Sequence, residues 1–249
     1  MKLSAVIIAK NEEEMVRGVL ESVRFCDETI VIDNNSEDNT YQIAKDRGAK
    51  VYKVSSSDFS KLRNEGFAQA SGDWIFYIDC DERVSDELKE SILSAVSLKN
   101  GSSVYKVMRK NYYLGNNEWP KVELMERLFR KNAFEGWYGK IHESPKFTGE
   151  AGTLQGYLLH FTHRNLSQML SKTIEWSDIE ADIRLRGNHP RIKSWRLLRV
   201  MITSFLSSYI KDRGYKAGGV GLIESIYQAF SSFITYAKLW ELQKRQEKN

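Results

Sequence analysis

The fold of this chain is decided by the stretch Asp73-Trp74-Ile75-Phe76-Tyr77-Ile78-Asp79-Cys80-Asp81-Glu82. Its five central residues are apolar without alternation, which predicts a strand buried on both faces and therefore central in a parallel sheet. The strand ends in a run of acidic residues. Because side chains alternate along an extended chain, Asp79 and Asp81 are predicted to point to the same side.

Strand and helix patterns alternate on both sides of this stretch. Short β-branched or apolar runs predict strands, and apolar residues at helical spacing predict the helices between them. The predicted strands are 3–9, 29–32, 51–54 and 74–78, and the predicted helices are 13–25, 41–47, 61–70 and 86–98. This alternation indicates an α/β domain with a mostly parallel central sheet.

Polar clusters follow three of these strands. They are Lys10-Asn11-Glu12, Asp33-Asn34-Asn35-Ser36 and Asp79-Cys80-Asp81-Glu82. Ligands of parallel sheets bind outside the carboxyl ends of the strands, so we expect all three clusters on one rim. Paired carboxylates suit Mg²⁺ or Mn²⁺, which bind one or two carboxylates together with substrate phosphates. Asp33 is suited to accept an N–H from a nucleobase, whereas most of 34–40 has the composition of a local turn.

Four segments carry a resemblance to a known family. They are 4–13, 31–38, 63–66 and 70–82, in this order and spacing. Together they resemble the family 2 glycosyltransferases, which have the GT-A fold. Within that family Asp79-Cys80-Asp81-Glu82 and His142-Glu143 resemble the branch that includes lipopolysaccharide-core glucosyltransferases. The pair Asn34-Asn35 departs from the more usual Asp/Ser-Gly.

The resemblance implies a role for each donor-side residue. It implies a metal cofactor, Mg²⁺ or Mn²⁺, and a nucleotide-sugar donor, a UDP-sugar if the family pattern holds. The implied positions are Ala9 and Glu12 lining the base pocket, Asp33 on the base, Arg63 near the base or diphosphate, Asp79 near the ribose and metal, and Asp81 on the metal. A late histidine completes the metal site in several transferases of this fold, which here implies His160 or His163.

The acceptor half of the reaction is expected in the less regular stretch 101–165. An inverting transfer needs a base for the acceptor hydroxyl, and the segment Gly136–Glu143 offers Glu143 for this role. The resemblance to the family's His-Glu pair implies the same residue. Trp137 and Tyr138 are suited to stack on a sugar face, and His142 is expected beside the acceptor.

The C-terminal part has a different pattern. We expect a GT-A domain over 1–165, with a nucleotide-sugar half in 1–100, and a helical region over 166–249 whose clearest helices are 195–209 and 222–242. The formal net charge is +4, yet between Ile183 and Lys211 there are seven Lys or Arg and no acidic residue. Basic residues beside apolar ones over 184–242 suit an anionic membrane surface. Such helices also pack on their own domain or form a homodimer.

The cysteine count and the N-terminus indicate a cytoplasmic protein, peripheral at the inner face of the membrane if the basic region binds there. The chain has two cysteines, too few for a disulfide framework. Its first apolar run is too short for a signal peptide. No nucleic-acid partner is expected.

The function predicted from these features is the metal-dependent, inverting transfer of a hexose to a saccharide or lipid-linked acceptor in cell-envelope synthesis. One rival is a nucleotidyltransferase of similar fold, which would also use paired carboxylates. The other is a non-catalytic module that binds membrane or nucleic acid through the basic region, without need for Asp79 or Asp81.

Overall fold

The computed structural model of the protein describes residues 1–98, 100–139 and 143–247. Strands and helices alternate in the first part of the chain, as the sequence predicted. These elements are β1 (Leu3–Ala9), α1 (Val16–Ser22), β2 (Glu28–Asp33), α2 (Thr40–Asp46), β3 (Lys50–Lys53), α3 (Phe59–Gln69), β4 (Trp74–Asp79), β5 (Glu82–Val84) and α4 (Asp86–Ser97).

Strands dominate the middle of the chain and helices its end. The strands are β6 (Val104–Tyr113), β7 (Asn117–Glu118), β8 (Glu123–Arg130), β9 (Phe134–Tyr138), β10 (Ser144–Phe147) and β11 (Ala151–Phe161). The helices are α5 (Leu166–Arg186), α6 (Ser194–Leu206) and α7 (Gly218–Gln246). The sequence predicted only short strands inside β6, β8 and β11, at 104–108, 124–129 and 158–161, because the remaining parts carry charged residues in β6 and β8 and glycines and polar residues in β11.

Within the described residues, one nine-stranded sheet runs in the order β3-β2-β1-β4-β8-β6-β11-β5, with β7 beside β6, and β9 and β10 form a separate pair. Strand β1 pairs in parallel with β2 and β4, and β2 pairs in parallel with β3. Beyond β4 the pairs β4–β8, β6–β8 and β5–β11 are antiparallel. The α/β class is confirmed, and its parallel pairing lies in the first four strands of this order.

Strand β4 is the centre of the core, as its apolar run predicted. Trp74 to Ile78 are fully buried, and β4 lies between β1 and β8. Helix α3 covers one face at close range, since a Cβ added at Gly66 would lie 2.3 Å from Cγ1 of Val6. The carboxylate of Asp58 caps the start of α3 by accepting from two backbone N–H groups. This packing fixes the position of Arg63, one turn along α3.

The chain forms two compact units. One contains residues 1–110 and 122–160, and the other contains residues 111–121 and 161–249. The second unit therefore includes the β6–β7 turn as well as the C-terminal helices. The assignment of 1–100 to the donor and 101–165 to the acceptor concerns function and stays a prediction.

Three long helices build most of the second unit. A hydroxyl pair joins α6 to α7 between Ser204 and Ser232, 2.7 Å apart, and a second joins the π-helical turn that follows α6 to α7 between Ser208 and Ser225, 3.0 Å apart. Tyr227 of α7 donates to the backbone carbonyl of Met169 on α5. In the described part of the chain, no helix combines the length and the apolar character that a bilayer span requires.

Candidate active site

The register of the parallel strands aligns their carboxyl ends. Ala9 of β1 is paired with Asp33 of β2, and Ile8 of β1 is paired with Asp79 of β4. The three polar clusters that follow these strands therefore leave the sheet at one edge, which is where the parallel-sheet rule places a ligand.

Asp33 presents a buried acceptor at this edge. Its residue is fully buried, and its Oδ2 accepts from the backbone N–H of Ser36 at 3.3 Å. Its Oδ1 has no hydrogen-bond partner among the described residues. A buried carboxylate oxygen without a donor is costly, so this atom is suited to receive an N–H from a ligand.

The turn residues around Asp33 hold the loop together. Asn34 exchanges two hydrogen bonds of 3.0 Å with the backbone of Ser56. Ser36 accepts from the backbone N–H of Asn11, and Thr40 accepts from that of Glu12. The polar residues 34–40 thus have the local role expected for them. They also fix the segment that follows β1, which contains the half-buried Glu12.

A chain of alternating charges runs from α3 across the sheet edge. Arg63 donates from Nε to Glu143 Oε1 at 2.7 Å and from Nη2 to Asp79 Oδ1 at 2.9 Å. Arg127 donates from Nη2 to Asp79 Oδ2 at 2.7 Å and to Glu82 Oε1 at 3.0 Å. Both oxygens of Asp79 are therefore bound by guanidinium groups.

Strand β6 extends this chain of charges. Arg109 donates from Nη1 to Glu82 Oε1 at 3.2 Å and from Nε to Glu123 Oε2 at 2.9 Å. Glu82 is fully buried, and its other oxygen accepts from the backbone N–H of Asp79 at 2.9 Å. Burial by itself raises the pKa of Asp79, but Arg127 and Arg63 outweigh it and hold that pKa well below its usual range. Asp79 is therefore ionised.

A second pair of groups consists of Asp81, on the loop between β4 and β5, and His160, on β11. Nε2 of His160 is 3.3 Å from Oδ2 of Asp81. The pairing of β11 with β5 brings His160 opposite Glu82 and so beside this loop. The other histidine left open by the sequence, His163, contacts Glu224 at 3.0 Å within the second unit.

Asp81 and His160 have the chemistry of ligands for a divalent cation. A carboxylate oxygen and an imidazole nitrogen about 3 Å apart can share one Mg²⁺ or Mn²⁺, whose remaining positions water and phosphate oxygens fill. Among the described residues no group of three or more His, Cys, Asp or Glu is arranged to hold a metal. The two side chains that could hold such a cation together are therefore Asp81 and His160, while Asp79 is engaged by arginines.

Arg63 contacts residues predicted for the donor and residues predicted for the acceptor. Glu143 is bound to Arg63, and the guanidinium of Arg63 lies over the ring of Trp137, 4.9 Å from its centroid. Trp137 is buried among Tyr77, Phe129 and other aromatic residues, so packing covers the ring that was expected to stack on a sugar. Tyr138, 53% exposed, is accessible. His142 lies outside the described residues.

Three residues of this site were missed by the sequence reasoning. Arg127 and Arg109 were given no role, and Glu82 was quoted only as part of its motif. A signal existed for Arg127, because Glu126 and Arg127 lie between the apolar pairs Leu124-Met125 and Leu128-Phe129 of the predicted strand 124–129, and in the structure Arg127 is buried. A charged residue inside a buried strand requires a partner, although the sequence does not say which one.

Comparisons with known proteins agree on one family. The sequence model described as "Glycosyl transferase family 2" matches residues 4–163. An uncharacterised glycosyltransferase of Rickettsia typhi is 30% identical over 97% of this chain and 87% of its own length. The lipopolysaccharide core biosynthesis glycosyltransferase LpsC of Rhizobium meliloti is 28% identical over 97% of this chain and 93% of its own.

A solved structure is also similar. The crystal structure of S. aureus TarS in complex with UDP-GlcNAc matches with a TM-score of 0.48 and 13% identity, covering 99% of this chain and 92% of that one. At this identity and TM-score, the likeness says nothing about ligands or residue roles in this chain.

Proposed function

This chain belongs to glycosyl transferase family 2, and from that membership we propose that it transfers a hexose from a nucleotide diphosphate sugar to a saccharide hydroxyl, with inversion at the anomeric carbon. The predicted GT-A fold and enzyme class are confirmed. One observation supports the finer proposal. Oδ1 of Asp33, which has no partner in the part of the chain that the structure describes, lies at the same sheet edge as the segment Asp79–Asp81.

The donor is proposed to be a UDP-sugar. Oδ1 of Asp33 accepts the ring N–H of uracil, which supplies the partner that this buried oxygen lacks among the described residues. Ala9 and Glu12 line the base pocket on the neighbouring strand end. Arg63 faces the diphosphate, and its buried Nη1, which has no partner among the described residues, donates to a phosphate oxygen.

A divalent cation is proposed as the cofactor, Mg²⁺ or Mn²⁺, held by Asp81 and His160. When bound, it neutralises the charge of the departing diphosphate. Asp79 contributes in a different way from the one the sequence suggested. Its carboxylate holds Arg63 and Arg127 in place, so that two guanidinium groups stand at the strand end where the diphosphate develops charge.

Glu143 is proposed as the base. Its Oε1 is held by Arg63, and Oε2 takes the proton of the acceptor hydroxyl. The hydroxyl oxygen then forms a bond to the anomeric carbon as the bond from that carbon to the diphosphate oxygen breaks. The leaving diphosphate keeps the bonding electron pair. Arg63 touches both Glu143 and Asp79, so one side chain aligns base and leaving group.

The acceptor is proposed to be a lipid-linked saccharide of the cell envelope, of the lipopolysaccharide-core class. Its support is the similarity to LpsC over nearly the whole of both chains. Tyr138, beside the base, offers an exposed ring for a sugar face. Work on such an acceptor takes place at an anionic membrane surface in the cytoplasm. Pairing of two chains through the C-terminal helices is the alternative use of that region.

The donor proposal is tested by thermal shift of the full chain with UDP-, GDP- and CMP-sugars, each with Mn²⁺, Mg²⁺ or EDTA. We expect a UDP-sugar to raise the melting temperature only with a cation present. Asp33→Asn should remove the shift, whereas Asp46→Asn, exposed on α2, should keep it. Equal shifts with all three nucleotides, or a full shift in Asp33→Asn, would contradict the role of Asp33.

The rival predictions have distinct outcomes in the same material. A nucleotidyltransferase would release inorganic diphosphate from a nucleoside triphosphate, and a binding module would consume no donor. Family membership already decides against both. Release of UDP that requires an added saccharide acceptor is the expected result.

A further inference from the structure

Helix α6 carries an apolar face that nothing in the described chain covers. No residue between Ser194 and Leu206 is buried except in part. The exposed large side chains are Trp195 at 54%, Leu198 at 66%, Ile202 at 59% and Leu206 at 44%. Their spacing of three, four and four residues puts them on one side of the helix, here named the outer face of α6.

The opposite side of α6 is occupied. Ser204 bonds to Ser232 of α7, and Leu197 packs against the small core around Leu239. The apolar residues of the outer face are thus not part of the helix packing that holds the second unit together. Exposed apolar patches of this kind mark interaction sites.

The charges around the outer face are of one sign. The charged residues of α6 are Arg196 and Arg199, and Lys193 is exposed just before it. No acidic residue occurs from Ile183 to Lys211. A tryptophan and aliphatic side chains beside cations form the pattern by which helices lie in the interface of an anionic bilayer.

Helix α5 provides a comparison within the same unit. It also exposes an apolar stripe, Leu166, Leu170 and Ile174, the last of these 63% exposed. The stripe of α5 is accompanied by acidic residues, namely Glu175, Asp178, Glu180 and Asp182. Both helices expose apolar surface, but only α6 combines it with uniformly positive charge.

We propose that the outer face of α6 is the element that docks this protein on an anionic lipid bilayer. The sequence placed membrane contact anywhere in 184–242, whereas the charge pattern selects α6. The occupant is a bilayer and not a second copy, because an anionic surface complements the charges of Lys193, Arg196 and Arg199, whereas a second copy of this face would bring the same cations and no acidic residue. This inference rests on the proposed function in one respect, namely that the protein works at an anionic membrane.

Vesicle co-sedimentation of the full chain tests this inference. We expect binding to phosphatidylcholine vesicles containing phosphatidylglycerol, weak binding to phosphatidylcholine alone, and loss of binding as salt rises. Ile202→Glu should weaken binding to anionic vesicles by about tenfold or more, because it puts a carboxylate into the apolar face. Ile174→Glu is the matched control, with the same change at an equally exposed isoleucine of α5, and should stay within about twofold.

A second variant keeps the test independent of folding in the first. Arg196→Gln with Arg199→Gln leaves the apolar face intact, and should reduce binding to anionic vesicles while leaving the weak binding to neutral vesicles unchanged. Circular dichroism checks the helical content of each variant. A failure in this assay is separate from a failure of the donor proposal, because vesicle binding needs neither donor nor acceptor.

Three results would overturn the inference. The first is equal binding to neutral and anionic vesicles, and the second is equal loss in Ile174→Glu and Ile202→Glu. The third concerns a second copy of the chain. If light scattering finds a dimer that Ile202→Glu dissociates, the outer face of α6 is a protein interface.

Discussion

The parallel and antiparallel halves of the large sheet contribute to the site in different ways. Strands β2 and β4 deliver Asp33 and Asp79 at their own carboxyl ends, on either side of β1 in the sheet order. The antiparallel strands β8, β6 and β11 send Arg127, Arg109 and His160 to groups that lie elsewhere in the sequence. The parallel half thus supplies the carboxylates proposed to face the donor, and the antiparallel half supplies the arginines that bind Asp79 and Glu82 and the histidine beside Asp81.

The comparison is tested most strongly at Asp81, where the two halves meet. Asp81→Ala removes the carboxylate from the proposed metal pair and should lower turnover by about a thousandfold or more. Donor binding should lose its dependence on Mn²⁺, as followed by thermal shift. His160→Ala should reduce metal affinity by a smaller factor, since phosphate, water and Asp81 remain as ligands. Normal turnover in Asp81→Ala would remove the metal proposal.

Glu143 is the second test, because it separates acceptor chemistry from donor binding. Glu143→Gln keeps the size of the side chain but lacks a basic oxygen, so we expect kcat to fall by about a hundredfold to ten-thousandfold. The thermal shift with a UDP-sugar should stay. Glu135→Gln, on β9 beside Lys146, is the control and should leave kcat within about twofold, as for a surface ion pair. Unchanged kcat in Glu143→Gln would assign the base elsewhere.

Arg127 belongs to the antiparallel half of the sheet and tests its role through the free energy of unfolding. Arg127→Met leaves the buried Glu82 and Asp79 with fewer cations, and we expect unfolding free energy to fall by about 3–5 kcal/mol in urea titration. The control is Arg24→Met, which breaks the exposed pair with Glu21 and should cost less than about 1 kcal/mol. Equal losses in the two variants would show that the charge chain does not stabilise the sheet edge.

The residues that could be predicted share a physical property. Asp33, Asp79 and Asp81 follow directly from strand ends and from the rule for parallel sheets, so local sequence was sufficient. The pairing of His160 with Asp81 depends on the register of β11 with β5, and the position of Arg127 depends on the register of β8 with β4. Local periodicity does not predict the register of antiparallel strands that are distant in sequence. For this reason the sequence did not distinguish between His160 and His163 as the histidine of the metal site.

Burial was equally hard to predict from local sequence. Trp137 was expected to face a sugar because it lies beside glycines and Glu143, but it packs against Tyr77 and under Arg63. An aromatic residue in a loop-like segment has the same local sequence pattern whether its ring faces a sugar or packs in the core. The outer face of α6 is the reverse case. Apolar residues at helical spacing usually indicate a buried face, but these side chains are exposed.

Glu28 has the smallest expected effect. It tests whether the hydrogen bonds to one buried carboxylate stabilise the parallel half of the sheet. Its carboxylate accepts from Lys50 at 2.8 Å, from the hydroxyl of Ser4 and from the backbone and hydroxyl of Ser71, which joins β1, β2, β3 and the turn before β4. Burial acts to raise the pKa of Glu28, but these donors prevail and hold it well below its usual range.

A carboxyl whose pKa is lowered by folding stabilises the fold above its unfolded pKa, about 4.3, and the contribution is lost as pH falls. The wild-type chain should therefore lose more stability than Glu28→Gln between about pH 5 and pH 3, a difference of roughly 1–2 kcal/mol. Urea titrations at the two pH values measure it. Glu37→Gln, exposed in the loop after β2, serves as the control with the wild-type pH dependence. If Glu28→Gln keeps the wild-type pH dependence, the carboxylate of Glu28 does not stabilise the parallel half, which is then held by its backbone pairing and its packing, and the contrast with the charge-linked antiparallel half becomes sharper.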